Sequence, residues 1–333
     1  MKNPTLLKEM LDYRGRDEMP GDFDTFWNKQ VAEVEVPQDY QLLEKDFQIA
    51  YATCYELTFK SGNGGQIYAK LVVPKLSEKV PVLFHFHGYM GQGWDWADML
   101  AYTAAGWGVV SMDVRGQSGY SLDGDREVRG NTVKGHIIRG ALDGPDQLFF
   151  KDVYLDVYTL VERVAGLDFV DENRLSSFGG SQGGALALVA AALNSRIKQT
   201  VAIYPFLADF RRVLEIGNTS EAYDELFRYF KFHDPFHETE EQLLQTLAYI
   251  DVKNLAHRIS CPVQMIIGLE DDVCYPITQF AIYNRLAGEK EYHLLPEYGH
   301  EAMNVRVSDT VFNWLCGTKI KRLSLFSDFK SER

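Results

Sequence analysis

The chain has 333 residues, of which 46% are hydrophobic, 24% charged and 13% aromatic. This composition is typical of a globular protein and excludes a disordered chain or a fibrous repeat. The 34 basic and 47 acidic residues give a formal net charge of −13. A chain this acidic repels polyanions, so we expect neither nucleic acid nor an anionic membrane surface as a partner.

The N-terminus and the cysteines favour a cytoplasmic protein. Residues 1–10 are too charged for the apolar part of a signal peptide. No stretch reaches the roughly 18 uninterrupted apolar residues of a membrane span. The four cysteines lack a C-x-x-C spacing and are interpreted as buried thiols rather than a disulfide framework or a zinc site. They are Cys54, Cys261, Cys274 and Cys316.

The N-terminal part of the chain predicts a helix followed by a β-hairpin. Helical periodicity runs from about residue 23 to residue 34. Two strand-like stretches follow at 50–60 and 66–74. The five residues between them, 61–65, are rich in Gly and Asn, which tolerate the positive φ angles of a tight turn. We expect this hairpin to form an antiparallel edge of the sheet.

From residue 80 onward, apolar strands alternate with helical segments, for example at 154–164 and 184–193. The predicted strands are 80–88, 107–113, 174–179, 199–205, 263–268 and 291–296. This alternation predicts an α/β fold with a mostly parallel sheet covered by helices on both faces. In such sheets, ligands bind at the carboxyl ends of the strands. Functional residues are therefore expected where each strand ends.

Residues 206–260 interrupt the alternation of strands and helices. The segment is helical in period and rich in aromatic and acidic residues. An insertion between two core strands commonly covers the site below it. We predict one domain over residues 1–333, with an N-terminal extension, a helical insertion at 206–260, and a C-terminal tail at 319–333 that has no assigned role.

Ser181 stands in a sequence typical of an activated nucleophile. The run Gly179-Gly180-Ser181-Gln182-Gly183 fits G-x-S-x-G, with a predicted strand before it and a predicted helix after it. A turn this sharp strains the serine backbone and leaves no space for neighbouring Cβ atoms. It also places Oγ at the positive end of the following helix. The context favours the nucleophile elbow of an α/β-hydrolase over a glycine-rich turn that contains serine by coincidence.

A serine nucleophile needs a base and an orienting acid, which follow it in this fold in the order Ser, Asp or Glu, His. Glu270, Asp271 and Asp272 come directly after a predicted strand, and the pattern leaves all three open as the acid. His300 follows the last predicted strand and is the candidate base. The other histidines downstream of Ser181 lie in the insertion, at its exit or within a strand. They are His233, His237, His257 and His293.

The oxyanion hole is expected at the end of an early strand, in residues 85–89. This fold takes one backbone N–H donor from that region and a second from the residue after the nucleophile. Tyr89 and Gln182 are the candidates for these two donors. The alternative interpretation of His85 and His87 is a pair of metal ligands, but no carboxylate or Cys at metal-binding spacing accompanies them. We therefore expect no metal.

Three motifs resemble a known family, which contains acetyl xylan esterases and cephalosporin-C deacetylases (carbohydrate esterase family 7). They are Arg115-Gly116-Gln117, Gly179-Gly180-Ser181-Gln182-Gly183 and His300-Glu301. The resemblance extends over about residues 5–318 and implies the α/β-hydrolase fold. The sequence departs from the family pattern at Tyr275, where proline is common, and at residues 90–94.

The resemblance implies roles for individual residues. It implies Ser181 as nucleophile, His300 as base and Asp271 as acid, because the family's acid stands fourth in a Gly-Leu-x-Asp run, here residues 268–271. It implies backbone oxyanion donors at Tyr89 and Gln182. The resemblance assigns no chemical step to the remaining motif residues, which are Arg115, Gly116, Gln117 and Glu301. Arg115 and Gln117 are expected to brace loops around the nucleophile.

The family's activity implies removal of acetyl groups from small acetylated sugars, such as xylo-oligosaccharides, and from related acetate esters such as cephalosporin C. The reaction proceeds through an acetyl-serine and needs no metal or organic cofactor. Family members assemble as hexamers whose sites face an internal cavity. Two rivals stay open: another α/β-hydrolase, such as a peptidase or a longer-chain carboxylesterase, and a catalytically silent binding protein.

Overall fold

A computed structural model of the chain describes residues 4–124, 131–217, 220–303 and 305–317. The predicted tail at 319–333 lies outside these residues. The described part of the chain forms nine strands. They are β1 (Tyr40–Lys45), β2 (Ala52–Lys60), β3 (Gln66–Pro74), β4 (Val80–Phe86), β5 (Gly108–Met112), β6 (Val170–Gly180), β7 (Ile197–Ile203), β8 (Val263–Gly268) and β9 (Lys290–Leu295).

The nine described strands form a single sheet with the order β1-β2-β3-β5-β4-β6-β7-β8-β9. All pairings from β5 through β9 are parallel, whereas β1, β2 and β3 join the sheet by antiparallel pairings. The predicted parallel sheet with an antiparallel edge is thus confirmed. In the β2–β3 turn, Ser61 N–H donates to Gly65 O over 2.7 Å. Asn63 and Gly64 there have φ of 53° and 74°, as their sequence predicts.

Eleven α-helices accompany the sheet in the described ranges. They are α1 (Pro4–Asp12), α2 (Phe23–Ala32), α3 (Trp96–Ala104), α4 (Phe149–Ala165), α5 (Gln182–Leu193), α6 (Phe210–Ile216), α7 (Asp224–Phe232), α8 (Glu240–Leu247), α9 (Val252–Leu255), α10 (Pro276–Tyr283) and α11 (Val307–Leu315). No helix among the described residues is long and apolar enough to cross a membrane.

The helices cover both faces of the sheet. α3 and α11 pack on one face, where Met99, Tyr102 and Val311 contact alternate strand residues such as Leu83. α2, α4, α5 and α10 pack with the larger cluster on the other face. Every residue of α5 is buried, and its small Ala side chains allow it to lie close against the sheet. This close packing fixes the position of the turn that precedes α5.

The segment between β7 and β8 contains the four helices α6, α7, α8 and α9. Its entry has an irregular backbone, because Tyr204, Leu207 and Asp209 have positive φ angles of 35°, 59° and 55°. Such angles are strained for residues with a side chain. The chain therefore turns abruptly out of the sheet at the carboxyl end of β7, the edge at which ligands bind in parallel sheets.

Candidate active site

Ser181 lies in the turn between β6 and α5 with φ 57° and ψ −121°. The strained serine backbone predicted from the sequence is confirmed. The turn is possible because the neighbouring glycines let the helix start approach β4. A Cβ at Gly183 would lie 1.9 Å from Phe86 O, and one at Gly179 would lie 2.6 Å from the same atom. No larger residue fits at either position without moving the backbone.

Ser181, His300 and Asp271 form a continuous chain of hydrogen bonds. Ser181 Oγ lies 3.0 Å from His300 Nε2, and His300 Nδ1 lies 2.9 Å from Asp271 Oδ2. Asp271 accepts only, so Nδ1 carries the proton and Nε2 is left to accept from the serine hydroxyl. The Ser181 residue is 9% exposed, and the His300 side chain is 18% exposed. The serine is thus poised to lose its proton to the histidine.

The Asp271 carboxylate is buried and well supplied with donors. Oδ1 accepts from the backbone N–H of Val273 at 2.9 Å and of Cys274 at 2.8 Å, and Gln279 Nε2 lies 3.3 Å from Oδ2. Its two acidic neighbours, Glu270 and Asp272, are exposed. The turn after β8 therefore directs only the middle of the three acidic side chains toward the histidine.

Two backbone N–H groups lie beside the serine. A Cβ at Gly88 would lie 3.9 Å from the Ser181 Cβ, so Tyr89, the next residue, starts close to the serine. Gln182 is the first residue of α5, where backbone N–H groups have no partner within the helix. In the part of the chain that is described, neither the Tyr89 nor the Gln182 N–H donates a hydrogen bond. Both N–H groups are therefore available as donors, and their role as oxyanion donors stays a prediction.

Residues 88–91 form a tight turn, which we call the 88–91 turn. Gly91 N–H donates to Gly88 O over 3.0 Å. Met90, with φ 63°, is held on both sides of its Cα, because its N–H donates to Gln117 Oε1 at 2.9 Å and its O accepts from Ser118 Oγ at 2.7 Å. The Gln117 amide also donates from Nε2 to Gln182 Oε1 at 2.6 Å. Gln117 thus links the two loops that carry the free N–H groups.

The other motif residues act at more distant points. Arg115 is 1% exposed. Its guanidinium makes two 2.6 Å hydrogen bonds to Asp156 of α4 and one of 2.9 Å to Gly62 O in the β2–β3 turn. The Arg115 side chain thus braces the β2–β3 hairpin against α4, whereas the prediction named the loops around the nucleophile. Gly116 has φ 68°, and Glu301 accepts from Gly299 N–H at 2.7 Å.

His85 and His87 are buried and have separate partners. His85 Nδ1 lies 2.8 Å from Ser111 Oγ, and its ring stacks on Trp94. His87 Nε2 accepts from Val114 N–H at 3.0 Å, and Nδ1 lies 2.7 Å from Gly88 O. Burial lowers the pKa of both imidazoles below their usual range. They are neutral residues at the end of β4, and both nitrogens of His87 and Nδ1 of His85 have protein partners.

Three residues near the serine were not predicted from the sequence. The Tyr204 ring lies 4.5 Å from the His300 ring, between their centroids. The Tyr89 hydroxyl donates to Glu225 Oε1 at 2.6 Å and accepts from His136 N–H at 3.3 Å. Glu225 belongs to α7 of the insertion, and His136 to the loop before α4. No local motif marks either residue, because each contact joins distant parts of the chain.

The arrangement has the chemical parts of acyl transfer: a hydroxyl, a histidine with the correct free nitrogen, an orienting carboxylate and two N–H donors beside the hydroxyl. The fold and this site define an α/β-hydrolase. The sequence matches the acetyl xylan esterase (AXE1) family over residues 1–318. The chain belongs to that family.

Individual relatives agree with this family. The chain is 43% identical to acetyl xylan esterase 1 from Thermoanaerobacterium sp. JW/SL YS485, with a TM-score of 0.88 over 94% of this chain and 98% of that one. An acetyl xylan esterase from Paenibacillus sp. R4 is 34% identical, with a TM-score of 0.85 over 94% and 99%. Acetyl esterase Axe7A from Xylanibacter ruminicola is 30% identical over 288 residues, which are 84% of this chain and 63% of that relative. The chain thus spans less than two thirds of the length of Axe7A.

Proposed function

We propose that this protein is a serine esterase that removes acetyl groups from small acetylated sugars and related acetate esters. The observation that carries the proposal is the hydrogen-bond chain from Ser181 Oγ through His300 to Asp271, with lengths of 3.0 and 2.9 Å. Membership of the acetyl xylan esterase family supports acetyl as the acyl group. Ser181 is the nucleophile, His300 the general base and Asp271 the acid that orients it.

The first half of the proposed reaction forms an acetyl-serine. His300 Nε2 takes the proton of Ser181 as Oγ attacks the acetyl carbonyl, and Asp271 stabilises the resulting imidazolium. The N–H groups of Tyr89 and Gln182 bind the oxyanion of the tetrahedral intermediate. A well-placed donor of this kind contributes about 3 kcal/mol to transition-state stabilisation. The intermediate collapses when the imidazolium returns its proton to the departing sugar oxygen.

The second half of the proposed reaction releases acetate. Water replaces the departed alcohol and gives a proton to His300 Nε2 as its oxygen attacks the acetyl-serine. The same two N–H groups bind the second oxyanion. Collapse then returns the proton to Ser181 Oγ and frees acetate, so the enzyme is restored with no net change. None of these steps draws on a metal or an organic cofactor.

Acyl-chain preference tests the proposal against its rivals on the same fold. We expect fast hydrolysis of p-nitrophenyl acetate and a loss in kcat/KM of about tenfold or more by butyrate, because a pocket that fits a methyl group must distort to admit more carbons. A preference for octanoate or for a peptide would overturn the acetylesterase proposal. Absence of any hydrolysis would favour the catalytically silent binding protein.

The natural alcohol is part of the proposal, and the candidates are acetylated xylo-oligosaccharides, monosaccharide acetates and cephalosporin C. Kinetics on this panel with purified protein would rank them. We expect the xylo-oligosaccharides to give the highest kcat/KM, since two relatives, at 43% and 34% identity, carry the name acetyl xylan esterase. A marked preference for cephalosporin C would contradict the sugar assignment while leaving deacetylation in place.

We also propose the hexamer that the family resemblance implies, with the active sites facing an internal cavity. Light scattering after size exclusion should give six times the 38.0 kDa of one chain, and a monomer would contradict this part. The cytoplasmic location favoured by the sequence stays a prediction, which cell fractionation would test.

A further inference from the structure

A second polar cluster lies behind the oxyanion turn, and we call Tyr89, His136 and Glu225 the Tyr89 anchor. The Tyr89 hydroxyl donates its proton to Glu225 Oε1 over 2.6 Å. Its oxygen accepts from the backbone N–H of His136 at 3.3 Å. The His136 ring meets the Tyr89 ring edge-on at 5.9 Å and stacks on Phe149 at 4.3 Å. The anchor thus joins the 88–91 turn to the insertion.

The anchor is buried and incompletely hydrogen-bonded. Glu225 is 8% exposed and His136 1% exposed. In the described part of the chain, neither Glu225 Oε2 nor His136 Nε2 has a hydrogen-bond partner. A buried polar atom of this kind costs about 1–3 kcal/mol of stability. A leucine at position 225 would avoid this cost but would leave the Tyr89 hydroxyl without its acceptor. The hydrogen bond to Tyr89 is therefore what the Glu225 side chain contributes here.

The anchor acts on the residue that supplies an oxyanion donor. Among the described residues, Tyr89 hydrogen-bonds to the protein only through its hydroxyl. Met90, the next residue, is fixed by Gln117 and Ser118. The peptide unit that carries the Tyr89 N–H is held at Gly88 O, which accepts from Gly91 N–H at 3.0 Å and lies 2.7 Å from His87 Nδ1. On the other side of the Tyr89 Cα, the direction of this N–H is set by Met90 and by the Tyr89 side chain. A small rotation of this peptide unit would move the N–H away from the oxyanion.

We propose that Glu225 is a positioning residue for the oxyanion hole: by holding the Tyr89 hydroxyl, it fixes the direction of the Tyr89 N–H beside Ser181. This inference rests on the proposed function and deepens it, because it gives the helical insertion a part in the rate of the reaction. Glu225 touches no reacting atom. Its effect is exerted on transition-state stabilisation, so it changes kcat and leaves KM almost unchanged.

Glu225 is also the member of the anchor that can change its charge near neutral pH. Burial raises the pKa of Glu225 to about 7, against the lowering effects of the Tyr89 hydrogen bond, the Ile137 N–H and the Lys134 charge, while Asp224 adds to the rise. Burial lowers the pKa of His136 to about 4. Burial and the Glu225 charge raise the pKa of Tyr89 far above its usual range. Below pH 7 the anchor therefore holds a neutral Glu225, and above it a carboxylate.

The carboxylate is the stronger acceptor for the Tyr89 hydroxyl, because charge-assisted hydrogen bonds are about twice as strong as neutral ones. The ratio of the wild-type kcat to the kcat of Glu225→Gln should therefore rise as pH rises through 7. Ionisations outside the anchor are common to both proteins and cancel in the ratio of their rates. We expect this ratio to approach one near pH 5.5 and to reach about three or more near pH 8.5.

Four variants test the inference on p-nitrophenyl acetate: Tyr89→Phe, Glu225→Leu, their double variant, and Glu225→Gln. Tyr89→Phe and Glu225→Leu should each lower kcat about ten- to a hundredfold, since small misplacements of catalytic groups cost this much. The double variant should lose no more than either single one, because both remove the same hydrogen bond. Glu225→Gln keeps an acceptor and should recover most of the rate at low pH.

The matched control is Glu241→Gln, which changes an exposed carboxylate of the same insertion, 65% exposed at its side chain, and should leave kcat unchanged. Unchanged kcat in Tyr89→Phe and Glu225→Gln at pH 8.5 would overturn the inference, and so would losses that multiply in the double variant or a rise in KM alone. Tyr89→Phe and Glu225→Gln still decide the question if Glu225→Leu does not fold.

Ser181→Ala, measured in parallel, separates this inference from the proposed function. If Ser181→Ala keeps the wild-type rate, the proposed function fails and the anchor has no reaction to support. If Ser181→Ala loses the rate while the anchor variants keep it, only the positioning role of Glu225 fails. Wild-type melting temperature in Glu225→Leu together with a lowered kcat would support positioning over a structural role.

Discussion

Asp271 and Glu225 are two buried carboxylates with different supplies of donors. Asp271 accepts from His300, from two backbone N–H groups at 2.9 and 2.8 Å, and from Gln279. Glu225 accepts from the Tyr89 hydroxyl and is also stabilised by the Ile137 N–H, while its Oε2 makes no close hydrogen bond among the described residues. A buried charge is tolerated when donors replace its water, and it is costly when they do not.

The different supply of hydrogen-bond donors indicates that the two carboxylates have different roles. A carboxylate that stabilises a histidine cation through the whole reaction needs a fixed charge, and the turn after β8 supplies the donors for it. A carboxylate that only holds a hydroxyl in place needs one good contact. Glu225 makes that contact from α7, far along the chain from the turn it holds. The predictions below separate chemistry at Ser181 from support around it, beginning with the largest effect.

Removal of the nucleophile should have the largest effect. Ser181→Ala should lower kcat for p-nitrophenyl acetate by about 10⁵-fold or more, because the general base and the acid act only through this hydroxyl. The control is Ser195→Ala, an exposed serine in the turn after α5, which should keep the wild-type rate. An unchanged rate in Ser181→Ala would contradict both the assignment of Ser181 as nucleophile and the proposed mechanism.

Removal of the acid should have the next largest effect, and the neighbouring Asp272 provides the control. Asp271→Asn should lower kcat about 10⁴-fold, because a neutral amide can donate to His300 Nδ1 and so favours the wrong tautomer. Asp272→Asn changes an exposed side chain and should leave kcat within about twofold. Equal losses in the two variants would contradict the assignment of Asp271 alone as the acid.

Loss of the link between the two oxyanion loops should have an intermediate effect. Gln117→Leu removes the acceptor of Met90 N–H and the partner of the Gln182 side chain. We expect kcat to fall about ten- to a hundredfold with KM nearly constant, since both N–H donors become less well placed. The exposed Gln38, changed to Leu, is the control. A rise in KM with constant kcat would place Gln117 in substrate binding instead.

Disruption of the distant Arg115 brace should affect stability and hardly affect catalysis. Asp156→Leu removes the closest carboxylate of the buried Arg115 guanidinium and leaves only the more distant Asp152, at 3.8 Å, beside it. This loss should cost about 3–5 kcal/mol in the free energy of unfolding. The exposed pair of Arg174 with Asp171 is the control, and Asp171→Asn should cost less than about 1 kcal/mol. Denaturant titration measures both. A folded Asp156→Leu protein with greatly reduced kcat would contradict the separation of this brace from the site.

The features that the sequence predicted correctly share a local cause. β4, β5 and β8 are short, mostly apolar runs that are buried throughout, and the elbow at Ser181 needs glycines that the sequence displays. β1, in contrast, is exposed at all but one of its residues. It therefore lacks the apolar alternation by which a strand is recognised, and it was not predicted.

The features that sequence patterns missed depend on contacts between distant residues. Three adjacent acids follow β8, and only the turn geometry directs Asp271 inward, so the pattern alone could not choose among them. Glu225 lies 136 residues from Tyr89 along the chain. His136 lies 47 residues from it, in a loop without a motif. Periodicity and local motifs carry no information on such pairings.

The most direct measurement of the central claim is to trap the acyl-enzyme. Protein mixed with excess p-nitrophenyl acetate, quenched in acid within the first turnover and digested with protease, can be mapped by mass spectrometry. We predict one acetyl group, located on Ser181 and absent from Ser181→Ala protein. An acetyl group on another residue, or ester hydrolysis with no acetylation of Ser181 at any time point, would contradict the account.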